Sequence, residues 1–255
     1  MAHSKAFFDE PIPIIIISKE EVRGRGIMAP IVTLVRHAQA LHNIGKQYHG
    51  IRDTNLTEFG EAQCGELTKS FPYHETIELV VCSPLRRTID TALLSFRDII
   101  ARCGKMIALE DLQEIANAAY NIGPNVDILR QEREDEPIDF SHVGNEWNTK
   151  EGPFSQETHA VEARATKARH WLRNRPEKHI LVVTHGNFIH SLIQDWSDYI
   201  PHLGSGLENA EFRSYHFIDD TDMAHLKETA ESQARRFGIE KPLSATRPMK
   251  LQSAA

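Results

Sequence analysis

Four segments of this 255-residue chain end an apolar run on side chains that can do chemistry. "IVTLV" ends on Arg36-His37, "LVVCSPL" on Arg86-Arg87, "MIALEDLQ" on Glu114, and "ILVV" on Thr184-His185. The inventory is two imidazoles, at least two guanidiniums and one carboxyl group. Forked guanidinium donors match phosphate oxygens and balance their charge. A neutral imidazole can attack phosphorus and carry the group covalently. A carboxylic acid of raised pKa can protonate a leaving oxygen. The set suits phosphoryl transfer. No cation-binding motif accompanies it, and arginines can take over a metal's electrostatic role. Neither a metal nor another cofactor is therefore expected.

Read singly, each segment is an ordinary strand end, so the elements that position them matter. "IVTLV" and "IELVVCS" (Ile77 to Ser83) are continuous apolar runs suited to strands buried on both faces. "MIALEDL" (Met106 to Leu112) reads as a third strand, "HILVVTHG" (His179 to Gly186) as a fourth, and a last one falls near 210–219. Between them lie helical patterns over Leu56 to Phe71, with Thr57 as N-cap, and over Pro84 to Ile100, with proline in the first turn. A third covers Glu157 to Arg175, and a fourth runs through "NFIHSLIQDW". Strands alternating with helices predict an α/β three-layer αβα sandwich around a mainly parallel, doubly wound sheet. The carboxyl ends of such strands gather at one ligand-binding edge. That edge collects the four segments.

Residues Ala116 to Ser155 break the rhythm. They are rich in Asn, Gly, Pro and acidic groups and read as a lid insertion over the ligand edge. Residues 1–30, with "PIPIIII" at Pro11 to Ile17, read as an N-terminal extension, mobile or packed as an edge strand. A single domain spans 31–240, and 241–255 is a polar tail.

A net charge of -7 argues against a nucleic-acid or membrane-surface role, since both want a basic face. A small anionic substrate needs only local positive charge. The three cysteines, Cys64, Cys82 and Cys103, form neither a disulfide framework nor a zinc signature, which fits a reducing, cytoplasmic compartment. The apolar run near the start is too short to span a bilayer.

The segments "VRHAQALHN", "RDTNLTEFGEAQ", "CSPLRRTIDTA", "LQE" and "ILVVTHG", in this order over Ile31 to Trp196, resemble the histidine phosphatase, or phosphoglycerate-mutase-like, superfamily. The "RHAQ..HN" form is most similar to its fungal and plant phosphoglycerate-mutase-like subgroup. The resemblance implies that His37 is the phosphorylated nucleophile. It makes Arg36 and Arg87 the phosphoryl-binding arginines, His185 the second imidazole and Glu114 the acid. Asn43, Arg86 and Gly186 are the expected substrate contacts, although Asn43 also suits a cap and Arg86 a helix-start cation.

His37/His42 and His185/His190 are spaced five apart, which is unfavourable for helical metal ligands. Arg164 reads as a solvated or salt-bridged cation, and Trp147 as a packing residue that could also line the pocket. The sequence departs from the family at Ala38, Gln39 and Ala40, a loop that could influence substrate choice. The segment "LQEIANAAYNIG" lacks the arginine that glycolytic mutases carry after their acid. A phosphatase acting on a small phosphorylated metabolite is expected over a phosphomutase or a non-catalytic relative.

Overall fold

The apolar runs become one sheet of seven strands in a computed structural model that describes residues 28–196, 205–218 and 223–238. The strands are β1 (Ile31–Arg36), β2 (Leu79–Cys82), β3 (Met106–Leu109), β4 (Ile138–His142), β5 (His179–Thr184), β6 (Phe212–Phe217) and β7 (Leu226–Glu228). Their order is β4-β3-β2-β5-β1-β6-β7. β1 to β5 pair in parallel, while β6 and β7 are antiparallel. Every residue of β2, β3 and β5 is buried. Their runs are continuous rather than alternating because both faces are covered.

The helices are α1 (Leu41–Ile44), α2 (Glu58–Ser70), α3 (Arg86–Cys103), α4 (Val126–Glu132), α5 (Thr158–Arg173), α6 (Gly186–Ile193) and α7 (Ala230–Gly238). Successive strand residues point to opposite faces, which divides the core in two. Val35, Val80, Cys82 and Val183 meet α2, α3 and α4 through Leu67, Ile89, Phe96 and Leu129. Leu34, Val81, Ile107 and Val182 meet α5 and α6 through Ala168, Leu172, Phe188 and Leu192. The three-layer sandwich follows. The Thr57 hydroxyl accepts the Gly60 amide at 3.0 Å, so the expected N-cap of α2 is made. A Cβ at Gly60 would stand 2.1 Å from the Gln39 carbonyl oxygen, so only glycine lets α2 approach the loop leaving β1.

The sequence reading needs correction between Ala116 and Ser155. This stretch is not all lid. β4 pairs with β3 as an edge strand, Val126 and Leu129 of α4 sit in the core, and Trp147 is fully buried there rather than lining a pocket. β3 is also shorter than expected, ending at Leu109 and turning into a 3-10 segment at Glu110–Leu112. The "PIPIIII" run and the tail at 241–255 lie outside the described residues. No helix among the described residues is long and apolar enough to cross a membrane.

Candidate active site

β1 and β5 are hydrogen-bonded neighbours with Arg36 opposite Thr184, so their exits place His37 beside His185. The His37 amide donates to the Thr184 carbonyl at 2.9 Å, and the Asn209 side-chain amide donates to the His37 carbonyl at 2.9 Å. The ring is then fixed by its own neighbour. His37 Nδ1 lies 2.7 Å from the Ala38 carbonyl oxygen. A carbonyl only accepts, so Nδ1 carries the proton and the Nε2 lone pair is left for chemistry. His37 is 2% exposed. Burial first, then the charges of Arg87 and Arg36, hold its pKa well below the usual histidine range. The imidazole is therefore neutral near pH 7.

His185 is held in the other tautomer. Arg87 NH2 donates to His185 Nδ1 at 3.1 Å, so Nε2 carries the proton and donates to Ser83 Oγ at 2.8 Å. Burial and the Arg87 charge depress this imidazole too. The two rings stand edge to face, with centroids 5.3 Å apart.

Arg87 is fully buried and clamped further by the Tyr120 carbonyl at 2.7 Å and Asn121 Oδ1 at 2.8 Å. Its Nε has no hydrogen-bond partner among the described residues. A buried donor left open costs about 1–3 kcal/mol unless a ligand fills it. Arg36 donates NH1 to the Leu207 carbonyl at 2.7 Å, and its guanidinium lies against the start of α6. A Cβ at Gly186 would sit 3.1 Å from Arg36 Nε, so the glycine makes room for the arginine.

Glu114 closes the other side. Its carboxylate accepts the amides of Ile115 at 2.9 Å, Phe188 at 3.1 Å and Asn187 at 3.3 Å, which seats it on the first turn of α6. The loop beneath is pinned from two directions. Arg164 NH1 donates to the carbonyls of Asp111 and Gln113, and Lys150 Nζ donates to the Glu114 carbonyl at 2.6 Å. Arg164 is thus not a solvated cation. It is 2% exposed, stacked over the Phe188 ring at 4.5 Å, and serves the Glu114 loop.

The structure brings together Arg36, His37, Arg87 and His185, with Glu114 on the adjoining helix start. It draws Arg86 elsewhere. The Arg86 guanidinium is committed to Asp53 at 3.0 Å and to Glu132 at 2.6 Å, while Asp53 Oδ1 also accepts the Arg86 amide. Asp53 of this helix-start ion cluster also supports the charge of the neighbouring Arg87. Asn43 acts as a local cap, its Oδ1 accepting the Ala40 amide at 2.9 Å. Gly186 has the spacing role just described.

The unusual loop residues also face inward. Ala38 and Ala40 are fully buried, and Gln39 Oε1 accepts the Thr57 hydroxyl at 2.9 Å, so they dock α2 instead of lining the site. His190 bonds Ser205 Oγ at 2.8 Å, and His42 bonds Thr54 Oγ1 at 2.7 Å, which gives each imidazole its own local partner. No group of three or more metal-ligating side chains occurs among the described residues.

Sequence reasoning missed Ser83, Asn121, Asn209 and Lys150. His42 and Tyr120 were also absent from the expected site. They stack at 4.6 Å beside His37, and burial pushes His42 down to about 3. Ser83 sits inside the quoted "CSPLRRT", directly after a buried strand, a position that could have flagged it.

A family model described as histidine phosphatase superfamily (branch 1) matches residues 32–229. A phosphoglycerate mutase-like protein of Arabidopsis thaliana is 27% identical over 234 residues, covering 74% of this chain and 84% of the relative. Phosphoglycerate mutase-like protein 1 of the same plant is 29% identical over 228 residues, with coverages of 74% and 81%. A probable phosphatase of Schizosaccharomyces pombe is 27% identical over 201 residues, with coverages of 74% and 92%. Among solved structures, the ecdysone phosphate phosphatase of Bombix mori superposes with a TM-score of 0.53 at 13% identity, over 79% of this chain and 92% of that one. At that identity the likeness speaks to fold.

Proposed function

The chain belongs to the histidine phosphatase superfamily, and from that premise we propose that it is a phosphatase that hydrolyses a small phosphorylated metabolite through a phosphohistidine on His37, without a metal. The observation that carries this reading is the His37 tautomer: a buried, neutral imidazole with its Nε2 lone pair free beside two guanidiniums. Nε2 attacks phosphorus while the ester P–O bond breaks. The departing oxygen takes a proton from Glu114. Arg87 and Arg36, whose charges both act at His37, stabilise the transferring oxygens. Water then attacks phosphorus with Glu114 taking its proton, the P–N bond breaks, and phosphate and free His37 result.

The choice of water over a second substrate as acceptor rests on the segment that follows the acid. A phosphoglycerate-type mutase needs extra cations for its substrate's carboxylate. Here Arg130 pairs with Asp127 at 2.8 Å, Arg133 pairs with Asp90 at 2.7 Å, and Lys150 is buried beneath Glu114. These are the Lys and Arg residues of 116–155. The test is turnover of a generic aryl phosphate with chelator present. Phosphate release that persists with chelator and disappears in His37→Ala supports the reading. Release that requires added metal, or that His37→Ala retains, overturns it.

A further inference from the structure

Lys150 is a lysine in a place that lysines avoid. It is 4% exposed, and its backbone sits at φ 59°, a left-handed conformation uncommon for a residue with a side chain. Among the described residues its ammonium has no carboxylate within ion-pair reach; it donates to neutral oxygens, Gln113 Oε1 at 2.7 Å and the Glu114 carbonyl at 2.6 Å. A buried cation normally pairs with an anion.

The groups facing it come from every side. Arg164 of α5 donates to the adjoining Gln113 carbonyl, Arg87 of α3 is near enough for its charge to act on Lys150, His185 ends β5, and among the described residues Glu114 is the one carboxylate that supports the ammonium. Arg164 also feels Asp111, whose carboxylate is already shared with Lys167 at 3.0 Å. Arg87 is supported by Asp53, itself shared with Arg86 at 3.0 Å, and by Glu114. Burial, with Arg164 and Arg87 adding to it, pushes the Lys150 ammonium down to about 7. Each nearby carboxylate thus already serves an arginine or Lys167, and Lys150 is left without a counter-ion of its own among the described residues.

We propose that Lys150 is a positioning residue whose missing counter-charge is the bound phosphoryl dianion: the dianion's arrival brings a proton onto Lys150, and the resulting ammonium holds the Glu114 backbone in place for the reaction. This deepens the phosphoryl-transfer reading and rests on it for the nature of the anion. The proton comes from solvent, so binding becomes coupled to proton uptake above neutral pH. The histidines of the site are depressed well below 6.5 and contribute nothing to that uptake in the alkaline range.

Tungstate, a tetrahedral dianion that does not titrate in this range, is the probe. Calorimetric titration of the full chain in buffers of different ionisation enthalpy reads the protons taken up. The expected result is an uptake of nearly one proton at about pH 8, fading by about pH 6, with affinity falling roughly tenfold per pH unit above neutrality. Lys150→Arg, which keeps the charge, binds tungstate without proton uptake. Lys150→Met binds more weakly at every pH, also without uptake. Wild-type protein that binds tungstate with no uptake at about pH 8, or does not bind it, overturns the proposal, as do variants that retain the wild-type uptake. Turnover of aryl phosphate reads the other claim separately. Proton-coupled binding without turnover sinks the phosphatase and leaves Lys150 standing, and turnover without the coupling does the reverse.

Discussion

The exits of β1 and β5 hold the same residue type within one site, both buried and both neutral, yet wired differently. His37 spends Nδ1 on its neighbour's carbonyl and keeps Nε2 open. His185 spends both nitrogens, one on Arg87 and one on Ser83. The difference teaches that burial and a cation-rich setting do not make a nucleophile by themselves. The hydrogen bond on the far nitrogen decides, because it sets which lone pair faces the pocket. In the proposed reaction His37 is the ring that reacts, and His185 is the ring that orients Arg87.

The contrast can be broken most sharply by removing one ring at a time. His37→Ala should lower turnover by at least ~10⁴-fold and abolish any phosphoenzyme, since nothing else supplies the lone pair. His185→Ala should cost on the order of 10–100-fold, the scale of losing a partner that orients a functional group, while still allowing phosphate to load on His37. Rapid-mixing kinetics with an aryl phosphate separates the two, and equal losses with no loading in either variant would erase the distinction.

A third test treats what the two rings share. His37 and His185, like His42 behind them, titrate lower in the folded chain than the unfolded value near 6.5. Below that value the unfolded chain binds protons that the folded one refuses. The contribution of these rings to stability is therefore complete above about 6.5 and is lost as pH falls toward their folded values. Each such histidine removes up to about 1.4 kcal/mol per pH unit below 6.5. Urea midpoints measured from neutrality down to about pH 5 should fall, and the slope should be shallower in His37→Ala. An unchanged midpoint would show that the rings are not held neutral.

The smallest effect expected is at Ser83. Ser83→Ala releases the far nitrogen of His185 and loosens Arg87, so turnover should drop roughly tenfold, as for removal of a partner that orients a ligand. His37 remains untouched, and phosphoenzyme should still form.

Much of this wiring was legible in the sequence where a strand hands over directly to a functional group. Arg36, His37, Arg87 and His185 each follow apolar runs of buried strands, and parallel pairing brings their exits together. Arg164 was misread because a charged residue on an amphipathic helix normally faces water. Here its position on α5 points at two main-chain carbonyls, those of Asp111 and Gln113, just before Glu114. Lys150 and Asn121 come from a stretch with no periodicity and reach partners 34 to 37 residues away, so no local signal marks them. β4 was hidden for a related reason. "IDFSH" is short and half polar, and at the sheet edge only Phe140 needs to be buried. Arg86 misled in the opposite way, since the dipeptide Arg86-Arg87 offers two guanidiniums while the helix turn sends them in different directions, one to Asp53 and Glu132, the other into the site.

The most direct measurement is the state of His37 during turnover. The full chain is mixed with an aryl phosphate in the presence of chelator, quenched within the first turnovers, kept alkaline and digested for peptide mass spectrometry. The expected result is the mass of one phosphoryl group on the peptide carrying His37, labile to acid and absent in His37→Ala. Continued phosphate release with no phosphoryl group on His37, or with the group on another residue, would contradict it.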